Sequence, residues 1–314
     1  MSGKIYDVVI LGAGPAGLSA AIYAARSKLS VLIVEKGIDG GQIALSHKIE
    51  NYPGQSEIEG MSGQELIAPM TAQTYKFGVE RAMDTIHACD LTSPIKTLTG
   101  SAGEYRAKSV IICTGAMTRF IGCKNEAKYV GRGVSYCAVC DARFFQGLDI
   151  YVTGGNNIAA EEALYLAKFA KKLVILHTGE KLSVSAPMLE QLEAQENLEV
   201  RLNTKVEELG GDFLLDTIIV SDTKTGEKSE IKAEPADGCL GLFGFTGKKT
   251  TGIFEGIIEL ENGYIKTNEL MQTNIPGVYA AGDVRVTPLR QVVTACSDGA
   301  IAAMQCVKYV PTVK

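Results

Sequence analysis

The sequence predicts an α/β protein made of two Rossmann-like nucleotide-binding units, the second inserted in the first. Three observations carry that expectation. A strand-like run opens the chain and leads into a GxGxxG turn and a helical stretch, the order a dinucleotide-binding βαβ unit requires. The same order recurs between Asp149 and His177. A late segment, NIPGVYAAGDV, then supplies a strand and a Gly-Asp turn that complete the first unit.

Each element has its reason. Tyr6 to Leu11, apolar at all but Asp7, suits a parallel strand buried on both faces. Gly12, Gly14 and Gly17 follow, permitting a tight turn and close approach of a pyrophosphate to the helix start. Pro15 to Lys28 reads as the helix and Val31 to Val34 as the second strand. Glu35 ends that strand 18 residues after Gly17, where a carboxylate can accept hydrogen bonds from ribose hydroxyls. In the second unit, DIYVT is a strand, AAEEALYLAKFAKK a helix and LVILH, ending at His177, the next strand. Val292 to Val307 reads as a mostly apolar helix closing the first unit. The expected domains are therefore residues 1–113 plus 246–314, with 114–245 inserted between them. Two consecutive domains with a C-terminal tail would leave the AGD turn without a partner.

Composition narrows the function. A chain of 314 residues with 46% hydrophobic residues and 34 glycines is large enough for two cores. A net charge of −5, spread without long runs, argues against nucleic acid or an anionic membrane as main partner. The N-terminal apolar run is too short for a signal peptide, and no stretch approaches the roughly 20 apolar residues that span a bilayer, so a cytoplasmic location is expected. His47, His87 and His177 lie far apart without ligand spacing, and no metal is expected. Of eight cysteines, Cys89, Cys113, Cys123, Cys239, Cys296 and Cys306 are scattered singly and suggest no role. Cys137 and Cys140 differ: they form a CxxC followed by Asp141. Zinc would need four ligands, and no second CxxC exists, so redox exchange is the better reading. Two sulfurs so spaced at a helix start can form a small-loop disulfide, and the helix N-terminus favours a thiolate. Asp141 could also be a first-turn carboxylate favoured by the helix dipole.

The segments GAGPAGLSAAIYAAR, GGQ at Gly40 to Gln42, ENYPG at Glu50 to Gly54, FG at Phe77 and Gly78, TGA at Thr114 to Ala116, GRGVSYCAVCD at Gly131 to Asp141, PGVYAAGD at Pro276 to Asp283 and RQVVTA at Arg290 to Ala295 occur together. In this set the chain resembles the low-molecular-weight thioredoxin reductases of bacterial type over nearly its full length. The resemblance implies an FAD/NAD(P)-binding fold in which residues 1–113 plus 246–314 bind FAD, and 114–245 form an NAD(P)-like domain carrying the dithiol. It implies an FAD site at Gly12, Gly14, Pro15, Ala16, Gly17, Glu35, Lys36, Gly41, Gln42, Asn51, Val79, Thr114, Gly115, Ala116, Gly282, Asp283, Arg290, Gln291 and Val292. Taken singly, Asp283 could be a helix N-cap, Asn51 a turn residue before Pro53 and Arg290 a solvated charge. The resemblance also supplies roles: Cys140 receives the flavin's electrons, Cys137 attacks the disulfide of thioredoxin, and Asp141 handles the accompanying proton. A homodimer and a rotation of the inserted domain are implied as well.

The second nucleotide turn departs from the family. It reads Gly154, Gly155, Asn156, Asn157, Ile158, Ala159, so Asn156 stands where GxGxxA has its second glycine. His177 is followed by Thr178, Gly179 and Glu180, where the family places arginines that hold the 2′-phosphate of NADPH. That combination is similar to the ferredoxin-dependent flavin thioredoxin reductases, and it makes ferredoxin the expected donor. An acidic ferredoxin would need a basic face, with Lys168, Lys171 and Lys172 on the second-unit helix, or Lys248 and Lys249, as candidates. The alternatives are an NADPH-dependent reductase, a dithiol oxidase using oxygen, and a flavin-binding redox sensor.

Overall fold

The computed structural model describes residues 3–46, 48–54, 60–116, 120–245 and 251–313. His47, Lys248 and Lys249 lie outside the described residues. The chain divides into two compact units, Met1–Met117 with Lys249–Lys314, and Thr118–Lys248.

The first unit opens with β1 (Ile5–Leu11), α1 (Pro15–Arg26), β2 (Val31–Glu35), α2 (Gly63–Lys76) and β3 (Glu80–Met83). Three strands follow, β4 (Ile86–Asp90), β5 (Lys96–Gly100) and β6 (Glu104–Ile112). Parallel pairing runs β3-β2-β1-β6, and β5 and β4 continue the sheet antiparallel. Val8 to Ile10 have no exposed surface, because helices or loops cover both faces of the central strand. Helix α1 starts on Pro15, whose missing N–H costs nothing at a first turn. It stops at Arg26, two residues before the expected end, because Lys28 takes a left-handed conformation (φ 69°) that breaks the helical ladder. Helix α2 is fixed by a reciprocal capping box between Ser62 and Glu65.

The second unit contains α3 (Glu126–Tyr129), β7 (Val134–Ser135), α4 (Ala138–Asp141), β8 (Asp149–Thr153), α5 (Asn157–Ala167), β9 (Lys172–Leu176), α6 (Ala186–Glu193) and β10 (Leu198–Arg201). An antiparallel sheet of β11 (Thr204–Gly210), β12 (Thr217–Asp222) and β13 (Lys228–Lys232) follows, and then β14 (Gly241–Gly244). The parallel sheet has the order β10-β9-β8-β14-β7. The expected helix over AAEEALYLAKFAKK is shorter: α5 ends at Ala167, Lys168 is its C-cap, and Lys172 already begins β9. The three lysines therefore do not share a helix face. Lys171 binds Asp237 at 3.0 Å and Lys172 binds Glu199 at 2.8 Å, so both charges are already matched.

The chain returns through β15 (Leu260–Glu261), β16 (Tyr264–Ile265), β17 (Val278–Ala280) and α7 (Val292–Tyr309). Strand β17 pairs with Val110 to Ile112 of β6, while β5 pairs with the earlier half, so the edge of β6 away from β1 serves two neighbours. Helix α7 packs on α1 through small residues. A methyl group at Gly299 would lie 2.1 Å from the Ala16 carbonyl oxygen, so only glycine permits the approach. The packing brings the start of α7 to the GxGxxG turn.

Candidate active site

The glycine turn is built in two parts. A Cβ at Gly12 would fall 2.4 Å from the Cys113 carbonyl oxygen, and one at Gly17 would fall 2.0 Å from the Gly12 carbonyl oxygen. Both glycines are demanded by the protein's own packing. Gly14 is not: its φ of −72° suits any residue, and the only atom near its missing Cβ is the Gly40 carbonyl oxygen, 4.0 Å away. Gly41 faces it, with the nearest atom to its missing Cβ being the Gly14 Cα at 3.9 Å. A 2.7 Å bond from the Gly40 N–H to the Ala13 oxygen joins the two loops. The result is open space over the start of α1, a helix with no side-chain cap and no acid in its first turn, which suits a diphosphate.

The remaining groups gather around that space. Glu35 accepts the N–H groups of Ala13 (2.8 Å) and Gly37 (2.9 Å), which orients its carboxylate at the end of β2 beside Lys36. Asn51 donates to the Gln291 side chain at 2.9 Å, tying the ENYPG loop to the N-cap of α7, just before Val292. Thr114, before Gly115 and Ala116, holds a buried hydroxyl with no hydrogen-bond partner among the described residues. An orphaned buried hydroxyl costs stability unless a ligand satisfies it, so its position fits a bound dinucleotide. Gly282 turns at φ 78° with Ala16 3.0 Å from its missing Cβ. Burial pushes the Asp283 carboxyl up, Arg290 opposes that shift and Asp298 adds to it. Gln291, not Asp283, caps α7, and Arg290 stacks over Tyr264 at 4.2 Å instead of standing in solvent. Val79 is the outlier: its side chain is buried in the core beside α1 and α2.

Sequence reasoning missed the groups that hold this site from behind. Asp298, buried on α7, accepts the Gly282 N–H at 3.1 Å and pairs with Arg285 at 2.7 Å. A lone acid on an apolar helix face was the available signal. Cys296 hydrogen-bonds the Tyr52 hydroxyl. Burial raises all six single cysteine thiols, Cys306 to about 12, which keeps them protonated and poor nucleophiles.

Cys137 and Cys140 form a disulfide with a Cα separation of 5.3 Å. The expected helix here is a single turn, Ala138–Asp141, followed by a 3-10 turn, so little macrodipole is available. A local bond replaces it: Cys140 N–H donates to Cys137 Sγ at 3.2 Å. Ala138 is wholly buried and anchors the turn, Cys137 is half-buried and Cys140 is exposed. Asp141 accepts a hydrogen bond from Ser135 Oγ at 2.5 Å. Burial raises its carboxyl, and the Ser135 bond opposes the rise.

The second nucleotide turn is closed by the chain itself. Asn156 Oδ1 accepts the Ala159 N–H at 2.9 Å and caps α5. The Ser183 N–H donates to the Gly155 carbonyl oxygen at 2.6 Å, and Asn156 bridges to Ser183. The His177 ring lies against Gly155 and Gly179, within 2.7 Å of where either would carry a Cβ. The nearby Lys224 is paired with Glu180 at 2.8 Å.

A family model described as pyridine nucleotide-disulphide oxidoreductase matches residues 6–299. A thioredoxin reductase of Peptoclostridium litorale is 46% identical over 98% of both chains. One of Bacillus subtilis is 41% identical over 98% of this chain and 95% of its own. The crystal structure of thioredoxin reductase from Streptococcus pyogenes aligns with a TM-score of 0.88 at 37% identity, covering 99% of this chain and 100% of that one. Enzymes of this family bind FAD, and the cradle at Gly14 and Gly41 with the unpartnered Thr114 hydroxyl has the form FAD requires. A flavin cradle in one unit, a disulfide in the other and full-length similarity converge on one statement: the chain is a flavin-dependent disulfide oxidoreductase belonging to the low-molecular-weight thioredoxin reductase family.

Proposed function

We propose that this enzyme reduces thioredoxin with electrons from a ferredoxin, not from NADPH. The observation that carries the donor reading is the Asn156 cap. Its side chain holds the helix N–H that a pyrophosphate would use and fills the place where a nucleotide backbone approach needs glycine. The Ser183 contact and the Glu180–Lys224 pair support it by occupying the turn and neutralising a nearby cation. FAD held at the Gly14 and Gly41 cradle would supply the conversion of one-electron donation into the electron pair a disulfide needs. In this reading Cys140 takes that pair, Cys137 attacks the thioredoxin disulfide, and Asp141 exchanges the proton. A homodimer and a cytoplasmic location belong to the same proposal. No helix among the described residues is long and apolar enough to cross a membrane.

One observation favours the NADPH reading: the pyridine nucleotide family model spans the second unit as well as the first. Anaerobic flavin absorbance, titrated separately with NADPH, NADH and reduced ferredoxin, separates the two. Bleaching by ferredoxin alone, coupled to thioredoxin reduction, is the expected result. Rapid bleaching by NADPH would return the donor to the pyridine nucleotide and show that the Asn156 cap yields to it.

A further inference from the structure

We propose that Ser135 is a positioning residue for Asp141, fixing its carboxylate beside the dithiol and setting the pH range over which it exchanges the proton. The inference rests on the reading of Asp141 as the proton-exchanging group.

Ser135 is nearly fully buried on β7, in register with Phe243 of β14, so its hydroxyl has a rigid origin. That hydroxyl accepts the Cys137 N–H at 3.1 Å and lies 2.5 Å from Asp141 Oδ2. A hydroxyl has one proton to donate, and of its two acceptors, Asp141 Oδ2 at 2.5 Å and the Cys137 carbonyl oxygen at 3.4 Å, the carboxylate takes it. One side chain thus holds both ends of the CxxCD turn, the backbone of Cys137 and the carboxylate that follows Cys140. The half-buried Asp141 carboxylate has no other hydrogen-bond partner among the described residues, and burial alone would favour its neutral form. A donor to the carboxylate favours the charged form. Helix α5, which packs on the turn, carries Glu161 and Glu162, and the turn after it carries Arg143. On Asp141 itself burial raises the carboxyl and the Ser135 hydrogen bond opposes the rise.

The proton accounting places this bond in the reaction. When the Cys137–Cys140 dithiol reduces a substrate disulfide, a Cys137–substrate S–S bond forms and the first substrate thiol leaves. Cys140 then attacks Cys137, the internal S–S bond re-forms and the second thiol leaves. Two electrons pass to the substrate, and both protons leave the dithiol. As a carboxylate, Asp141 accepts one of them and passes it on to the leaving thiol or to solvent. Donation from Ser135 keeps it a carboxylate to lower pH.

The test uses the holoenzyme, reduced with dithiothreitol, desalted anaerobically and mixed with excess 5,5′-dithiobis(2-nitrobenzoate) from about pH 5 to about pH 9. This disulfide takes two electrons and leaves as two thiolates, so both protons must pass from the enzyme to solvent. The rate should fall on the acid side as the Cys137 thiolate and Asp141 protonate. Ser135→Ala should move that acid limb to higher pH by roughly one unit, while Ser135→Thr, which keeps the hydroxyl, should restore it. Ser135→Gly reads the same limb should the alanine variant not fold. Asp141→Asn should leave only the limb set by protonation of the attacking Cys137 thiolate and slow the plateau by about 100-fold. An Asp141→Asn enzyme with the parent profile would overturn the proton role of Asp141 itself. A changed Asp141→Asn profile beside a Ser135→Ala profile that superimposes on the parent would overturn the Ser135 proposal alone.

Discussion

Thr114 carries the sharpest residue-level test of the flavin site. Its hydroxyl is buried and unpartnered among the described residues, a state that costs about 1–3 kcal/mol unless something satisfies it. If FAD is that partner, Thr114→Val removes one hydrogen bond while keeping the shape. Holoenzyme affinity for FAD should then fall about tenfold, measured by flavin fluorescence on titration of apoenzyme. The apoenzyme should be no less stable to urea, since the substitution removes an unsatisfied group. Unchanged FAD affinity would place the hydroxyl away from the cofactor. Residues of this kind were legible in the sequence only through the shared segments, because a threonine in a TGA triplet has no distinguishing local chemistry. Asp298 and Ser135 escaped for the same reason: what marks them is burial and a partner distant in the turn or the chain, and neither is written in their neighbours.

The two strand-glycine-helix elements were legible in the sequence, and so was the difference between them, since glycine and asparagine at one position change what a helix start can bind. Helix lengths were less legible. Helix α1 stops where Lys28 goes left-handed and α5 stops at Ala167, choices made by tertiary packing against uninterrupted helix formers. The dithiol sits at a helix start as expected, but the helix is a single turn, so its thiol chemistry depends on individual N–H groups, not on a dipole. The contrast between α1 and α5 can be tested directly. Gly14→Asn would place on α1 the cap that Asn156 places on α5. Its backbone φ of −72° accepts asparagine and the space above it is clear, so the apo fold should keep its stability or gain a few tenths of a kcal/mol. FAD affinity should nevertheless fall by about two orders of magnitude or more, because the side chain occupies the diphosphate's approach. A variant that still binds FAD with the parent affinity would mean that the diphosphate does not lie over Gly14.

Each of the two units carries a parallel sheet and core clusters of its own, the first around β1, β6 and α7 and the second around β8, β9 and β14. The first unit is assembled from both ends of the chain, so its integrity depends on β17 and α7 returning to β6 and α1 across the whole inserted segment. Every residue proposed for the flavin site belongs to this unit. Binding stabilises only the state that binds, by about 2.7 kcal/mol when free ligand exceeds its Kd a hundredfold. FAD should therefore protect the first unit selectively. In hydrogen exchange of apoenzyme with and without excess FAD, amides of β1, the start of α1, β6 and α7 should slow by about a hundredfold where exchange requires unfolding of that unit. Amides of β8, β9 and β10 should change far less, because their core contains none of the residues proposed to hold the cofactor. Equal protection of both sheets would show that the two units unfold as one cooperative body, and that the returning segment couples the dithiol unit to flavin binding.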